Sequence, residues 1–365
     1  MYKIFYLFTF LSFSCTAIYT GSYNQPHLNK IQPDELGPVV LKWEDGLRTK
    51  GKSNEFEWWY FDTKLTDGTI FVCYFYKVHF LNDKYFIGLN YNDDNGNDFF
   101  QLKYFDKNDV EFSEDSCMVR MGNNYIKGNL DEYEINLDPN DFEGFGGRLS
   151  LKSHLKPYRP KDGVIKAGDD FFAWLAAVPN GSTKGQITLN GALRQVSGDG
   201  YHDHNWGNTP LQKLFDGWTW FRGQVGENTI IASELNLTKQ RGGYDIPILY
   251  IANKKKVLTN QFGNDGIFTK YSDLIENLYS KKNEPLFSNF SLLTSDGISI
   301  SIEGKNLIDN SKLFKRMGLP IPIRWVMNKS GIDPYYSRYK SSIALSTNGI
   351  EIGKGFGILE IMDLK

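Results

Sequence analysis

The chain has 365 residues and a formal net charge of −2, and a length of this kind suits two domains better than one. The near-neutral balance gives no reason to expect nucleic acid or an acidic membrane surface as a partner. The chain contains 26 Phe, 21 Tyr, 8 Trp and 35 Gly. Aromatic residues between many Gly, Asn and Asp turns favour strands, so we predict an all-β protein.

The first residues are typical of an export signal. Lys3 precedes an apolar stretch over residues 4–13, which is too short to span a bilayer. Small residues follow at 15–17, and we predict a signal peptide over residues 1–17 and a secreted or periplasmic protein. A lipid anchor on Cys15 is the less favoured alternative. No later stretch is long and apolar enough for a transmembrane helix.

The rest of the chain divides into an irregular lead-in and two strand-rich halves. The lead-in, with several prolines, is expected to wrap the first barrel. The segment 207–215, which contains Pro210, is the best candidate for a linker. The expected divisions are the lead-in at 18–50, an N-terminal domain at 51–212 and a C-terminal domain at 213–365.

Many short segments rich in β-forming residues alternate with Asp-Gly and Asn-Gly turns, which predicts up-and-down barrels or sandwiches. Helices are expected only at 311–317 and near 272–278. Barrels of about eight strands can hold one small ligand. The predicted strands are 69–80, 84–90, 99–105, 118–126, 128–137, 148–155, 171–178, 185–196, 217–225, 228–237, 247–251, 290–293, 298–303, 343–346 and 357–362.

Two cysteines remain after residue 17. Cys73 and Cys117 both lie in or near predicted strands. An even number in an oxidising compartment permits one disulfide bond. Two buried free thiols explain the sequence equally well, and both alternatives stay open at this point.

The first candidate site is Glu57-Trp58-Trp59-Tyr60. Because strand residues alternate between faces, Glu57 and Trp59 share one side while Trp58 and Tyr60 share the other. A carboxyl group among rings is poorly solvated, which raises its pKa and suits a general acid. The alternative is structural, with Glu57 accepting hydrogen bonds at a closed barrel end.

The second candidate site is residues 200–207, with the sequence GYHDHNWG. His202 and His204 face the same way on a strand, a spacing that also occurs among metal ligands. No cysteine or further histidine cluster accompanies them, so we expect no metal. His204, oriented by Asp203 or a carbonyl group, is a candidate proton relay. The alternative is a hydrogen-bonded core histidine that joins two strands.

These two motifs resemble the signatures of the carotenoid 1,2-hydratase/AttH family. Residues 334–339 (PYYSRY) and 355–362 (GFGILEIM) agree with it, so the resemblance runs from about residue 50 to the end. The family includes hydratases and Diels–Alderases. The resemblance implies two lipocalin-like antiparallel β-barrels in tandem and a hydrophobic ligand of the isoprenoid, polyene or prenylated aromatic type.

For a hydratase, the resemblance implies that an acid protonates a prenyl double bond and water attacks the tertiary cation, without a metal or organic cofactor. His204 and Trp206 match a His–Trp pair of the family's hydratases. Those enzymes also use an acidic residue and a tyrosine on a following strand, where this chain offers Glu234 but no Asp or Tyr. Glu57 and Glu234 are therefore the candidate acids.

Rings near the motifs are the expected ligand contacts, because aromatic faces stabilise cations. Tyr201, His202 and Asp203 of the second motif are expected to join them. The predicted contacts on the first motif and on the 217–225 strand are Trp58, Trp59, Tyr60, Trp218 and Trp220.

Three functions remain compatible with this sequence: a hydratase, a cyclase of the Diels–Alderase type, and a carrier without chemistry. We favour ligand binding with hydration. Either barrel interior or the cleft between the halves could hold the ligand, since ligand sites favour domain interfaces. Nothing in the sequence indicates an oligomeric state.

Overall fold

Strands make up most of this computed structural model, which describes residues 36–37, 39–80, 82–275, 286–316, 320–329 and 331–364. They form two antiparallel sheets, and each sheet curls into a nearly closed barrel. The prediction of two tandem lipocalin-like barrels is thereby confirmed. Within the described ranges, no helix is long and apolar enough to cross a membrane. The predicted signal peptide lies outside the described residues.

Barrel 1 contains twelve described strands in the order β4-β3-β2-β1-β12-β11-β9-β8-β7-β6-β5, with β10 paired to β11. The central strand β1 therefore lies between β2 and β12. The strands are β1 Phe56–Leu65, β2 Ile70–Phe80, β3 Asn82–Asn92, β4 Asp98–Phe105, β5 Val110–Phe112, β6 Met118–Met121, β7 Asn124–Gly128, β8 Glu132–Leu137, β9 Gly146–Ser153, β10 Val164–Ala167, β11 Asp170–Leu189 and β12 Ala192–Gly207.

Barrel 2 contains nine described strands in the order β16-β15-β14-β13-β21-β20-β19-β18-β17. The short helix α1, Leu211–Leu214, precedes it, and the helices α2, Leu313–Arg316, and α3, Ile321–Lys329, lie between β19 and β20. The strands are β13 Phe215–Val225, β14 Asn228–Leu237, β15 Asp245–Ala252, β16 Val257–Phe262, β17 Ile267–Ile275, β18 Leu286–Thr294, β19 Ile298–Lys312, β20 Tyr335–Thr347 and β21 Ile350–Asp363.

Several predicted boundaries were wrong for local reasons. The expected strand over 185–196 is interrupted by a hairpin at Asn190 and Gly191, whose φ angles are 50° and 79°. Positive φ at both positions suits a two-residue hairpin, and Asn-Gly is its preferred sequence. A turn with Leu130 at φ 76° likewise divides the expected strand 128–137. In both segments the turn residues determine where a strand ends, even though the residues on either side favour strands.

The helices of the structure also differ from the predicted ones. Of the helix expected at 311–317, residues 311 and 312 still belong to β19 and Leu313–Arg316 is helical, while residue 317 lies outside the described residues. Residues 272–275 continue strand β17 instead of starting a helix, and 276–278 lie outside the described residues. Helix α3 was not predicted.

The described part of the lead-in reaches into barrel 1 at one turn. A 3₁₀ turn at Lys42–Asp45 brings Glu44 and Asp45 into the fully buried interior. The Trp59 Nε1 donates to the Asp45 carbonyl oxygen over 2.9 Å, so an interior side chain of β1 fixes the position of this turn.

The two barrels pack against each other through the outer faces of their central strands. Tyr201 and Trp174 of barrel 1 share one buried cluster with Trp220 and Leu235 of barrel 2. A separate cluster around Phe221 fills barrel 2. The described residues from Leu36 onward accordingly form one compact unit.

Candidate functional site

The pleat of β1 and β12 divides the two motifs between two compartments. The antiparallel register places Trp59 opposite His204 and Tyr60 opposite Asp203. The first pair faces the interior of barrel 1, and the second pair faces barrel 2. Since successive strand residues point to opposite faces, neighbouring motif residues serve different environments.

Glu57 and His204 form a buried pair inside barrel 1. His204 Nε2 lies 2.8 Å from Glu57 Oε1, and its Nδ1 lies 3.0 Å from the Glu44 carbonyl oxygen. Both ring nitrogens therefore face an acceptor, and hydrogen bonds hold the ring from two sides. The Trp59 ring stacks on His204 with the ring centroids 4.6 Å apart, and the tilted Trp206 ring lies 4.7 Å from the same imidazole.

The expected rise in the pKa of Glu57 is wrong. Burial alone raises that pKa, but hydrogen bonds from His204 and Thr49 outweigh it and lower the pKa below its ordinary value. The backbone N–H of Arg48 and of Thr49 donate to the carboxylate over 2.6 and 2.8 Å, and the Thr49 hydroxyl donates over 2.6 Å. A carboxylate surrounded by donors holds its charge, which is unsuited to protonating an alkene.

A second buried histidine lies beside the first. His202 Nδ1 donates to the Tyr60 carbonyl oxygen over 2.7 Å and Nε2 donates to Asp45 Oδ2 over 3.2 Å. Burial lowers the pKa of His202, but the Asp45 carboxylate, the Tyr60 carbonyl group and Asp203 together outweigh it, so the pKa is raised. Tyr133 also donates to Asp45.

The donor atoms of Asp45, Cys117 and His202 lie within 4.8 Å of one another, a grouping that could hold a metal ion. A proton on His202 already satisfies both ring nitrogens. Burial raises the pKa of the Cys117 thiol and disfavours the thiolate that metals bind. Cys117 and Cys73 are both buried free thiols, so the alternative of a disulfide bond between them was wrong.

The candidate acid Glu234 lies apart from the other predicted residues. It follows the cavity-lining Ser233 on β14 and is buried on the opposite face of that strand. Burial raises its pKa, while hydrogen bonds from Thr269 and Tyr271 lower it. The structure therefore does not bring Glu234 together with Glu57 or His204.

A cavity of about 680 Å³ lies between the barrels. From barrel 1 it is lined by Trp58 and Tyr60, and from barrel 2 by Trp218 and Trp220, among other rings. Trp58 stacks on Tyr76 at 5.3 Å, which holds the indole in place. A mostly apolar cleft at a domain interface with a few polar groups is the usual form of a small-molecule site.

Asp203 is the carboxyl group of the second motif that faces this cavity. Its side chain accepts hydrogen bonds from Tyr201 over 2.9 Å, Asn205 over 2.7 Å and Trp174 over 3.2 Å. Burial raises the pKa of Asp203 to about 7, although these donors favour the ionised form. Asp203 therefore has the exposure to the cavity and the pKa that the sequence analysis expected of Glu57.

Another part of the cavity wall carries a buried charged network. Arg338 Nε donates to Glu360 over 2.9 Å and to the Tyr336 hydroxyl over 2.7 Å, and Nη1 donates to Asn90 over 3.0 Å. All four residues line the cavity. These four side chains give the cavity wall polar groups that can orient an oxygen-bearing ligand.

This network was missed as a site in the sequence analysis. Tyr336 and Arg338 lie in the 334–339 motif and Glu360 lies in the 355–362 motif, which were used only for the family resemblance. Arg222, which pairs with the buried Asp62, was also missed. A buried arginine beside an acidic residue on a paired strand is the signal that could have found these groups.

The fold and this cavity define a tandem lipocalin-like protein with a ligand-sized cleft between its barrels. The carotenoid hydratase CrtC family matches residues 68–244. A hydroxyneurosporene dehydrogenase of Chlorobaculum tepidum is 25% identical over 303 residues, which cover 72% of this chain and 76% of that protein. A quinolone epoxide rearrangement protein of Emericella nidulans is 27% identical over 104 residues, which cover 27% of this chain and 28% of that protein.

Solved structures share the fold. An AttH-type protein of Nitrosomonas europaea superposes with a TM-score of 0.63 at 13% identity, covering 90% of this chain and 99% of that one. Kievitone hydratase of Nectria haematococca gives 0.57 at 13% identity, covering 90% and 94%. CghA with Sch210972 gives 0.62 at 13% identity, covering 90% and 96%. Together these similarities confirm the resemblance of this chain to the CrtC/AttH-like family.

Proposed function

We propose that the cavity between the barrels binds a hydrophobic small molecule with a prenyl or polyene chain and that the protein adds water to one of its double bonds. The observation that carries this proposal is Asp203, a carboxyl group with a pKa of about 7 on the wall of an aromatic cavity. The match to the carotenoid hydratase family supports the reaction class.

The proposed reaction begins when the protonated Asp203 carboxyl group gives its proton to one alkene carbon. The new C–H bond leaves a tertiary cation on the other carbon. Tyr60 and Trp220, whose rings lie 6.4 Å apart at the cavity wall, face that charge with their π-systems. Such contacts are worth about 2 kcal/mol when desolvated.

Water then attacks the cation, and the resulting oxonium returns a proton to the Asp203 carboxylate. The carboxyl group is regenerated, so the net change is the addition of one water molecule to the alkene. In this proposal Glu57 and His204 hold barrel 1 together and do not touch the ligand. Trp59 and Trp206 share that structural role.

Replacing Asp203 tests the assignment. We expect Asp203→Asn to reduce hydration of a prenylated substrate by about a hundredfold to ten-thousandfold, the usual contribution of a general acid. The measurement is label incorporation from heavy-oxygen water, followed by mass spectrometry. Because only the protonated acid reacts, kcat/KM should fall as pH rises through about 7.

Asn205→Ala is a second test of the same assignment. The Asn205 amide donates to Asp203 and favours its ionised form, so its removal should raise the pKa of Asp203 and move the fall in kcat/KM to higher pH. Full activity of Asp203→Asn, or a pH profile unchanged in Asn205→Ala, would contradict the role of Asp203.

Cyclisation is the second candidate. The cavity rings are held by mutual stacking, as in Trp58 against Phe56 at 5.4 Å, which suits the positioning of a folded polyene. In that case the unlabelled, rearranged product should appear in heavy-oxygen water. Recovery of an unchanged lipophile would indicate a carrier.

We also propose that the protein is exported, on the strength of Lys3 and the apolar residues 4–13. Sequencing the N-terminus of protein recovered outside the cytoplasm tests this directly. A start near residue 18 is expected, whereas an intact Met1 would argue against processing.

A further inference from the structure

Helix α3 presents apolar side chains to solvent. Ile321 and Trp325, one turn apart, are 73% and 63% exposed, and Lys329 continues the same face. Val326 and Met327, on the opposite face, are half-buried. A solvent-facing helix ordinarily carries polar residues outward, whereas this helix has large apolar side chains on its outward face as well as on its half-buried face. Exposed apolar groups of this kind mark interaction surfaces.

The surrounding segment is strongly basic, although the whole chain has a net charge of −2. Residues 310–332 contain five basic side chains and no acidic one. Two of the five are paired, Lys312 with Asp333 and Arg316 with Asp309. The other three form no ion pair within the part of the chain that the structure describes, and they are Lys315, Arg324 and Lys329.

The same segment borders the cavity. Leu313 and Phe314 at its start and Ile332 and Pro334 at its end all line the cleft between the barrels. We call residues 313–334, as far as they are described, the cap. The cap therefore has a cavity-facing part and, on α3, an outward apolar face beside basic side chains that form no ion pair with the described residues; one of them, Lys329, lies over the Trp325 ring.

We propose that the cap docks on an anionic lipid surface and that lipophilic ligands pass there between the bilayer and the cavity. Trp325 and Ile321 enter the headgroup region, where tryptophan is favoured. Lys315, Arg324 and Lys329 approach the lipid phosphates. The net charge gave no sign of this partner because the basic residues are concentrated in one segment. The identity of the cargo rests on the proposed function, whereas the docking does not.

Vesicle co-sedimentation tests the proposal with the full chain. Wild-type protein should bind vesicles that contain phosphatidylglycerol more strongly than vesicles of phosphatidylcholine alone, and added salt should weaken that binding. The double variant Ile321→Ser/Trp325→Ser should reduce binding by about tenfold or more, because it removes the apolar groups that enter the interface. Both side chains are exposed, so folding should be unaffected.

Phe356→Ser is the matched control, since Phe356 is 71% exposed but lies on β21 outside the cap. It should bind vesicles like wild type. The apolar residues 4–13 are present in every variant, so the difference between the two variants isolates the cap.

Equal vesicle binding by wild type and the double variant would overturn the proposal. The proposal would also be overturned if the double variant bound vesicles like wild type but had a different oligomeric state, measured by light scattering. That result would assign the outward face of α3 to contact with a second copy of the chain. Hydration assayed in detergent micelles keeps the two proposals distinguishable. There the double variant should retain wild-type activity whatever the docking result.

Discussion

Glu57→Gln separates the structural role of the first motif from a catalytic one. The wild-type carboxylate is fully buried, pairs with His204 and accepts three hydrogen bonds from Arg48 and Thr49. The amide that replaces it carries no charge and presents an NH₂ group to donors. His204 Nε2 then faces an amide in place of a carboxylate, in a site without solvent.

The expected loss of stability follows from that burial. Removing the carboxylate of such a buried pair costs about 3–5 kcal/mol, because the groups that donated to it stay buried without a matching acceptor. Glu111→Gln, in an exposed pair with Arg120, is the control and should change the free energy of unfolding by about 0–1 kcal/mol.

Urea unfolding at several pH values measures both quantities. The pKa of Glu57 is lowered in the folded protein from its ordinary value of 4.5, so folding stabilises the ionised form. Its contribution to the free energy of unfolding is therefore present above that value and is lost as pH falls through the lowered pKa. The difference between wild type and Glu57→Gln should shrink over the same acidic range.

Two results would refute this reasoning. A loss of less than about 1 kcal/mol would place the pair among weak surface interactions. A variant of normal stability that binds ligand but no longer hydrates it would return Glu57 to the catalytic role that its sequence context suggested.

Two further predictions concern the barrel interiors. Burial raises the pKa of both Cys73 and Cys117, so neither thiol should react with a thiol reagent in the folded protein and both should react in urea; rapid native labelling would contradict their burial. Phe221→Ala, in the core of barrel 2, should lower the free energy of unfolding by about 3–5 kcal/mol. The exposed Phe268→Ala should change it by less than about 0.5 kcal/mol, and equal effects in the two variants would contradict the packing described.

Local patterns in the sequence were enough to predict the fold class. Alternating apolar residues with Asp-Gly and Asn-Gly turns predicted antiparallel barrels, and the strict period of two correctly separated Trp59 from Tyr60. The Asn190–Gly191 hairpin was missed although its sequence signal is present. Helix α3 was missed because Pro320 and Pro322 obscure its start, where a proline in the first turn is tolerated.

The sequence by itself determined which side chains share a strand face, because that depends only on the pleat. It could not determine which face meets the ligand, since both faces of β1 and β12 are buried, one inside barrel 1 and one against barrel 2. Only the packing of the barrels decided that Asp203 lines the cavity and that Glu57 lies in a closed interior. The lead-in then set the direction of the Glu57 pKa shift, because the donors Arg48 and Thr49 lie in this irregular segment just before the motif and belong to no pattern that predicts a contact with the carboxylate.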